Sequence, residues 1–122
     1  MTKKTRRPVE TTGLELFDGR GRRRALLSTH AKDGMPFLAL YDDERRQRIV
    51  LGLEAGGLPA VTMYGDSGRA SLGCGMDDQG RVGLTLFDRD GNPGILLMIH
   101  PDGSRAVQIL DHNLKVLWSA TE

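Results

Sequence analysis

One spacing constrains this chain more than any other feature. The pairs Asp33-Gly34, Gly56-Gly57, Gln79-Gly80 and Asp102-Gly103 follow one another at intervals of 23 residues. A second series keeps nearly the same interval: Phe17, Tyr41, Tyr64, Phe87 and Leu110 step by 24, 23, 23 and 23. Self-similarity at this period marks supersecondary units that bury their apolar sides by stacking on neighbours. Five copies fit, with one additional residue in the first, between Gly21 and Gly34.

Each copy holds two apolar runs and two turn signals. In the second copy MPFLALY (35–41) leads into DDER, and RQRIVLGL (46–53) leads into EAGG. Apolar residues alternating at period two mark strands, and Gly and Asp at fixed offsets mark turns. A helix over QRIVLGLEA fails because Gly52 interrupts it and two glycines follow. The predicted fold is therefore all-β. It is an antiparallel up-and-down meander of five hairpin repeats, with about ten short strands, curled or closed into a barrel. Residues 11–122 form the single repeat domain. Residues 1–10 form a basic, flexible tail.

Register follows from the apolar pattern. If DGRG (18–21) is a four-residue loop, Phe17 lies opposite Arg22 and Leu14 opposite Ala25. One face then collects the aliphatic residues, from Leu14 and Leu16 through Leu51, Val61 and Cys74 to Ile109 and Trp118. The other face holds Glu15, Ala39, Thr62, Thr85 and Gln108 with the arginines. A three-residue loop closed by Asp18 and Arg22 would shift one strand and mix the two sets, because a one-residue slip exchanges faces. The clean separation favours the four-residue loop.

The recurring aromatic-Asp-x-x-Gly-Arg core then reads as a hairpin device. Asp starts the turn by accepting backbone N–H groups ahead of it, and Gly takes the left-handed conformation that ends it. The aromatic and the Arg close the hairpin as a stacked cross-strand pair. The expected pairs are Phe17/Arg22, Tyr41/Arg46 and Tyr64/Arg69. Phe87 meets Asn92, and Leu110 meets Lys115. The same row, Phe17, Arg22, Tyr41, Arg46, Tyr64, Arg69 and Phe87, is the candidate partner-binding stripe.

The pieces FDGRGRRR, YDDERRQR and MDDQGR resemble the tyrosine-aspartate, or Rhs-type, repeats of bacterial toxin shells. The likeness covers about six residues per copy, with Gly65 in place of the Asp in one copy and Arg45 in place of the Gly in another. In period and hairpin architecture the chain is also similar to MORN repeats, although their Tyr-x-Gly and Gly-x-Gly marks are absent. Both resemblances imply a scaffold or container, with no catalytic residue to carry over.

Chemistry-bearing residues are few. His30, Glu54, Asp77 and His100 share nearly one slot in four copies, but equivalent slots lie two strands apart, about 9–10 Å. Ligands at about 2 Å from an ion must converge, so no metal site is expected. Cys74 falls on the aliphatic face between Leu72 and Met76 and reads as packing. GDSG (65–68) resembles a serine-protease signature but falls in register with DGRG and DRDG, and so reads as a turn. No catalytic residue and no cofactor are expected.

No apolar run approaches the roughly 20 residues of a membrane helix. MTKKTRRPVETTG lacks the apolar core of a secretory signal, and a single cysteine forms no internal disulfide. A cytoplasmic protein without membrane insertion is expected. The net charge of +1 hides an asymmetry: residues 1–24 carry eight Lys/Arg against three acids, and the remainder is net acidic. The basic head and the arginine–aromatic row could hold single-stranded nucleic acid or an anionic surface; the acidic body disfavours this. The leading expectation is a non-catalytic hairpin-repeat module that acts as an assembly scaffold or binds a protein partner, self-association included. A barrel holding a small apolar ligand is the alternative.

Overall fold

A computed structural model describes residues 8–30 and 32–122. It has ten strands: β1 (Gly13–Phe17), β2 (Arg23–Thr29), β3 (Pro36–Tyr41), β4 (Gln47–Glu54), β5 (Leu58–Tyr64), β6 (Ala70–Met76), β7 (Val82–Phe87), β8 (Pro93–Ile99), β9 (Arg105–Leu110) and β10 (Val116–Thr121). They form one antiparallel sheet in sequence order. Among the described residues no helix is long and apolar enough to cross a membrane.

The expected closure into a barrel does not occur. β1 and β10 are the two edges and do not pair with each other. The register explains why. One row of partners, Leu14–Leu27–Leu38–Leu51–Val61–Cys74–Leu84–Leu97–Val107–Ala120, runs straight across all ten strands. It meets every repeat at the same point, so no stagger accumulates. A barrel requires such a stagger to tilt its strands and join its edges.

The turns share one design. In the first, the Asp18 N–H donates to the Arg22 carbonyl at 3.0 Å, and the Gly21 N–H to the Asp18 carbonyl at 3.0 Å. Asp18 and Arg22 therefore close a three-residue loop, which corrects the four-residue expectation. Phe17 lies opposite Arg23 rather than Arg22, and Leu14 opposite Leu27 rather than Ala25. The faces are nonetheless the expected ones. A β-bulge between Leu16 and Phe17 adds a second one-residue shift, and the two together make an even shift that keeps each residue on its face. The same bulge recurs beside Tyr41, Tyr64 and Phe87 and in the last hairpin. Turns at the opposite end of the sheet, such as Asp77–Arg81, adjoin a ladder without that shift.

The last loop residue has positive φ in every turn. It is glycine except at Arg45 and Leu114, both at φ 64°. Five turns begin with Asp, and each of these carboxylates accepts two backbone N–H groups. Asp42 takes those of Glu44 at 2.9 Å and Arg46 at 3.0 Å. Asp111 takes those of Asn113 and Lys115, both at 2.9 Å. Donors that would otherwise need water are thus satisfied within the turn.

Candidate interaction surface

Alternation sends the residues of each strand to two unlike faces. The aliphatic face carries the straight row above and its neighbours two residues away, including Leu16, Leu40, Met63, Met76, Val82 and Ile99. Val82 belongs to it although the apolar pattern alone did not place it there; its pairing with Ile99 does. Cys74 lies on this face, half-buried, as expected.

The opposite face protects itself. Its middle row mixes small and polar residues (Ala39, Thr62, Gly73, Thr85 and Gln108) with Leu26, Val50 and Leu96. The Phe87 ring lies against Gly73: a methyl group added there would sit 3.7 Å from it. Ala39 is the one fully buried hydrophobic residue among those described. His30 stacks on Phe37 with ring centres 4.4 Å apart. Between Phe37, Tyr41 and Tyr64 runs an open trough of about 450 Å³ bordered by Gln47, Thr62 and Glu54.

The aliphatic face has no such cover. Nineteen large apolar residues among those described are more than a third exposed, and fourteen of them lie on this face. Trp118 is 52% exposed and Leu27 50%. The others, Val9, Phe17, Leu114, Val116 and Leu117, sit in or beside the edge strands or in the last turn. Two open apolar grooves mark the face. One, of about 440 Å³, is floored by Val61, Cys74 and Leu84. The other, of about 360 Å³, is floored by Leu38, Leu51 and Val61. The charged residues whose register sets them on this face, Arg105 and Glu122, lie at one corner and pair with each other at 3.6 Å.

The sequence-derived stripe is placed as follows. Phe17, Tyr41, Tyr64 and Phe87 end β1, β3, β5 and β7 and form a row along the bulged end of the sheet. The arginines expected to stack on them do otherwise. Arg22 and Arg46 donate their Nε–H groups to Asp18 and Asp42, each at 2.9 Å. Arg69 reaches the carbonyl of Asp90 in the next hairpin at 2.7 Å. The single cation–ring contact among the described residues is Arg23 over Tyr41, at 4.7 Å. The hairpin device is thus an Asp–Arg clasp rather than an aromatic–Arg pair. The bulge causes the exchange, because it puts Arg23 opposite Phe17.

Sequence reasoning missed Arg24 and Arg48, which tie successive turns together. Arg24 donates to the Tyr41 carbonyl at 3.1 Å and meets Asp43 at 3.0 Å. Arg48 repeats this with the Tyr64 carbonyl at 2.9 Å and Asp66 at 3.1 Å. Their spacing of 24 residues was the available signal.

These clasps hold their carboxylates ionised. Asp18 is lowered from 3.8 to about 2, led by the Arg22 N–H, against the opposing effect of burial. Burial is the largest single influence on Asp42 and pushes it up. The Arg46 N–H and guanidinium, with the Glu44 N–H, outweigh it and leave Asp42 well below the usual carboxylate range. Asp77, Asp88 and Asp102 are lowered as well.

Among the described residues no three His, Cys, Asp or Glu side chains gather as metal ligands would. Lys3, Lys4, Arg6 and Arg7 of the basic head lie outside the described residues. Compared with known proteins, the chain matches no family model and no curated protein.

Proposed function

We propose that the chain is a non-catalytic β-hairpin-repeat module of the cytoplasm whose aliphatic face is a docking surface, so that it works as an assembly scaffold or by binding a protein partner. The observation that carries this reading is the contrast between the two faces. One buries Ala39 and sets the Phe87 ring against Gly73; the other leaves fourteen large apolar side chains substantially exposed. A soluble monomer rarely exposes a continuous apolar patch of more than a few hundred Å². The scaffold role also agrees with the resemblance to Rhs-type and MORN repeats.

The alternatives draw less support. The two grooves on the aliphatic face are open troughs rather than an enclosed apolar cavity. A nucleic-acid stripe needs free arginines, and Arg22, Arg24, Arg46 and Arg48 are engaged by carboxylates.

Methionine oxidation tests the docking reading. Met63 and Met76 lie on the aliphatic face, and Met98 lies on the ringed face. In any particle with the mass of one chain, Met63 and Met76 should oxidise faster than Met98. They should become the slower pair only in a heavier particle. Slow oxidation of both in a folded monomer would overturn the reading, because the sheet would then cover its own face.

A further inference from the structure

We propose that the occupant of the aliphatic face is the same face of a second copy, the two sheets forming a sandwich. This inference rests on the docking reading above and names its partner.

Surface area sets the scale. The chain exposes 9412 Å². A compact monomer of 13.4 kDa exposes roughly 6,500 Å². Residues 1–7, counted as fully extended chain, account for about 1,300 Å². An excess of about 1,600 Å² therefore remains, which a single-layer sheet produces and a second layer removes. The face itself spans ten strands at about 4.8 Å spacing and about 20 Å of strand length, or roughly 900 Å². Two such faces bury about 1,800 Å², within the range of stable, specific interfaces.

The chemistry favours self-pairing over an unlike partner. Apart from the Arg105–Glu122 pair at its corner, the face carries no charge, so two copies meet without like-charge cost and without buried ions needing partners. It also offers no charged group by which an unlike partner would be selected. Relief is present on the same surface: the groove over Cys74 and Val61 is flanked by projecting Met76 and Leu97 side chains. Two such faces interlock as sandwich cores do, about 10 Å apart with strand directions within about 30°. The segment before β1, MTKKTRRPVETT, offers two large apolar residues against the fourteen of the face.

Cys74 makes the proposal measurable. It is the only cysteine, so any thiol cross-link joins two copies. It lies on β6, beside the middle of the ten strands, where a two-fold axis through the face centre brings the two thiols close. The untreated full chain should sediment at twice the mass of one chain, and a short bismaleimide should convert it to a covalent dimer. Leu51→Arg, on the same face, should halve the sedimenting mass and abolish cross-linking, with the strand circular-dichroism signal retained. Should that variant fail to fold, the wild-type mass, cross-linking yield and methionine pattern decide alone. A monomer whose Met63 and Met76 oxidise faster than Met98 overturns self-pairing and leaves the docking reading standing. A monomer in which both are protected overturns both. A dimer that resists cross-linking through Cys74 overturns the face-to-face arrangement.

Discussion

Asp18 and Arg22 bind each other at three points. The Asp18 N–H donates to the Arg22 carbonyl at 3.0 Å, and the Arg22 N–H and Nε–H donate to the Asp18 carboxylate at 3.1 and 2.9 Å. Asp42 with Arg46 and Asp77 with Arg81 repeat the clasp. Backbone closure, carboxylate charge and guanidinium placement are thus one unit, and each responds to loss of the charge.

Acid should therefore loosen the sheet from its turns. A carboxylate whose folded pKa is depressed contributes stability above its unfolded value, and that contribution disappears as pH falls through the folded value. Asp18 moves from 3.8 to about 2, and Asp42, Asp77, Asp88 and Asp102 are depressed too. Thermal melts should be insensitive to these groups between about pH 5 and 7 and fall steeply from about pH 4 towards pH 2. Asp18→Asn with Asp42→Asn should melt lower at neutral pH and lose less on acidification. Parallel acid limbs in the variant and the parent would contradict the clasp.

Leu114 occupies a glycine slot. Its φ is 64° and its side chain is 53% exposed, so it bears left-handed strain with little packing in return. Leu114→Gly should stabilise the chain by about 1 kcal/mol, the usual left-handed penalty less the entropy of an added glycine. Gly80→Ala, at φ 78°, should destabilise it by a similar amount. Urea melts compared at equal slope measure both.

Gly52 and Gly75 are glycines because neighbouring strands press on them. A methyl group at Gly52 would lie 2.5 Å from the Pro36 carbonyl oxygen, and one at Gly75 would lie 2.6 Å from that of Pro59. Both obstacles are backbone and cannot rotate away. Gly52→Ala and Gly75→Ala should each cost about 1–3 kcal/mol. By contrast Gly65→Ala, whose methyl would meet the Arg69 carbonyl oxygen at an ordinary 3.9 Å and whose φ is not positive, should cost much less. Equal losses at all three would mean that strand crowding is not the cause.

The two faces were legible in the sequence because alternation survives any even shift. From Leu14 to Trp118, the residues assigned to the aliphatic face are found there. The turn register was not legible for the same reason: a three-residue loop plus a bulge gives the parity of a four-residue loop. Arg23 over Tyr41 depends on that bulge, so it was missed while Arg22 and Arg46 were mispaired with the rings. Barrel closure was misjudged because hairpin signals are local, whereas stagger is summed over ten strands. The bare aliphatic face was visible in the pattern; that nothing in the described chain covers it required the sheet to be seen open.

Each strand touches only the strands before and after it. No long-range contact fixes how many there must be. Duplicating one 23-residue unit between equivalent turns would leave every clasp and every cross-turn arginine in place and widen the sheet by two strand spacings, about 9–10 Å. Copy number is thus a ruler. A gene that gains or loses a unit resets the width of the surface its product presents, and an unlike-length copy would leave strands overhanging. In the proposed sandwich, sheets of equal count would match edge for edge.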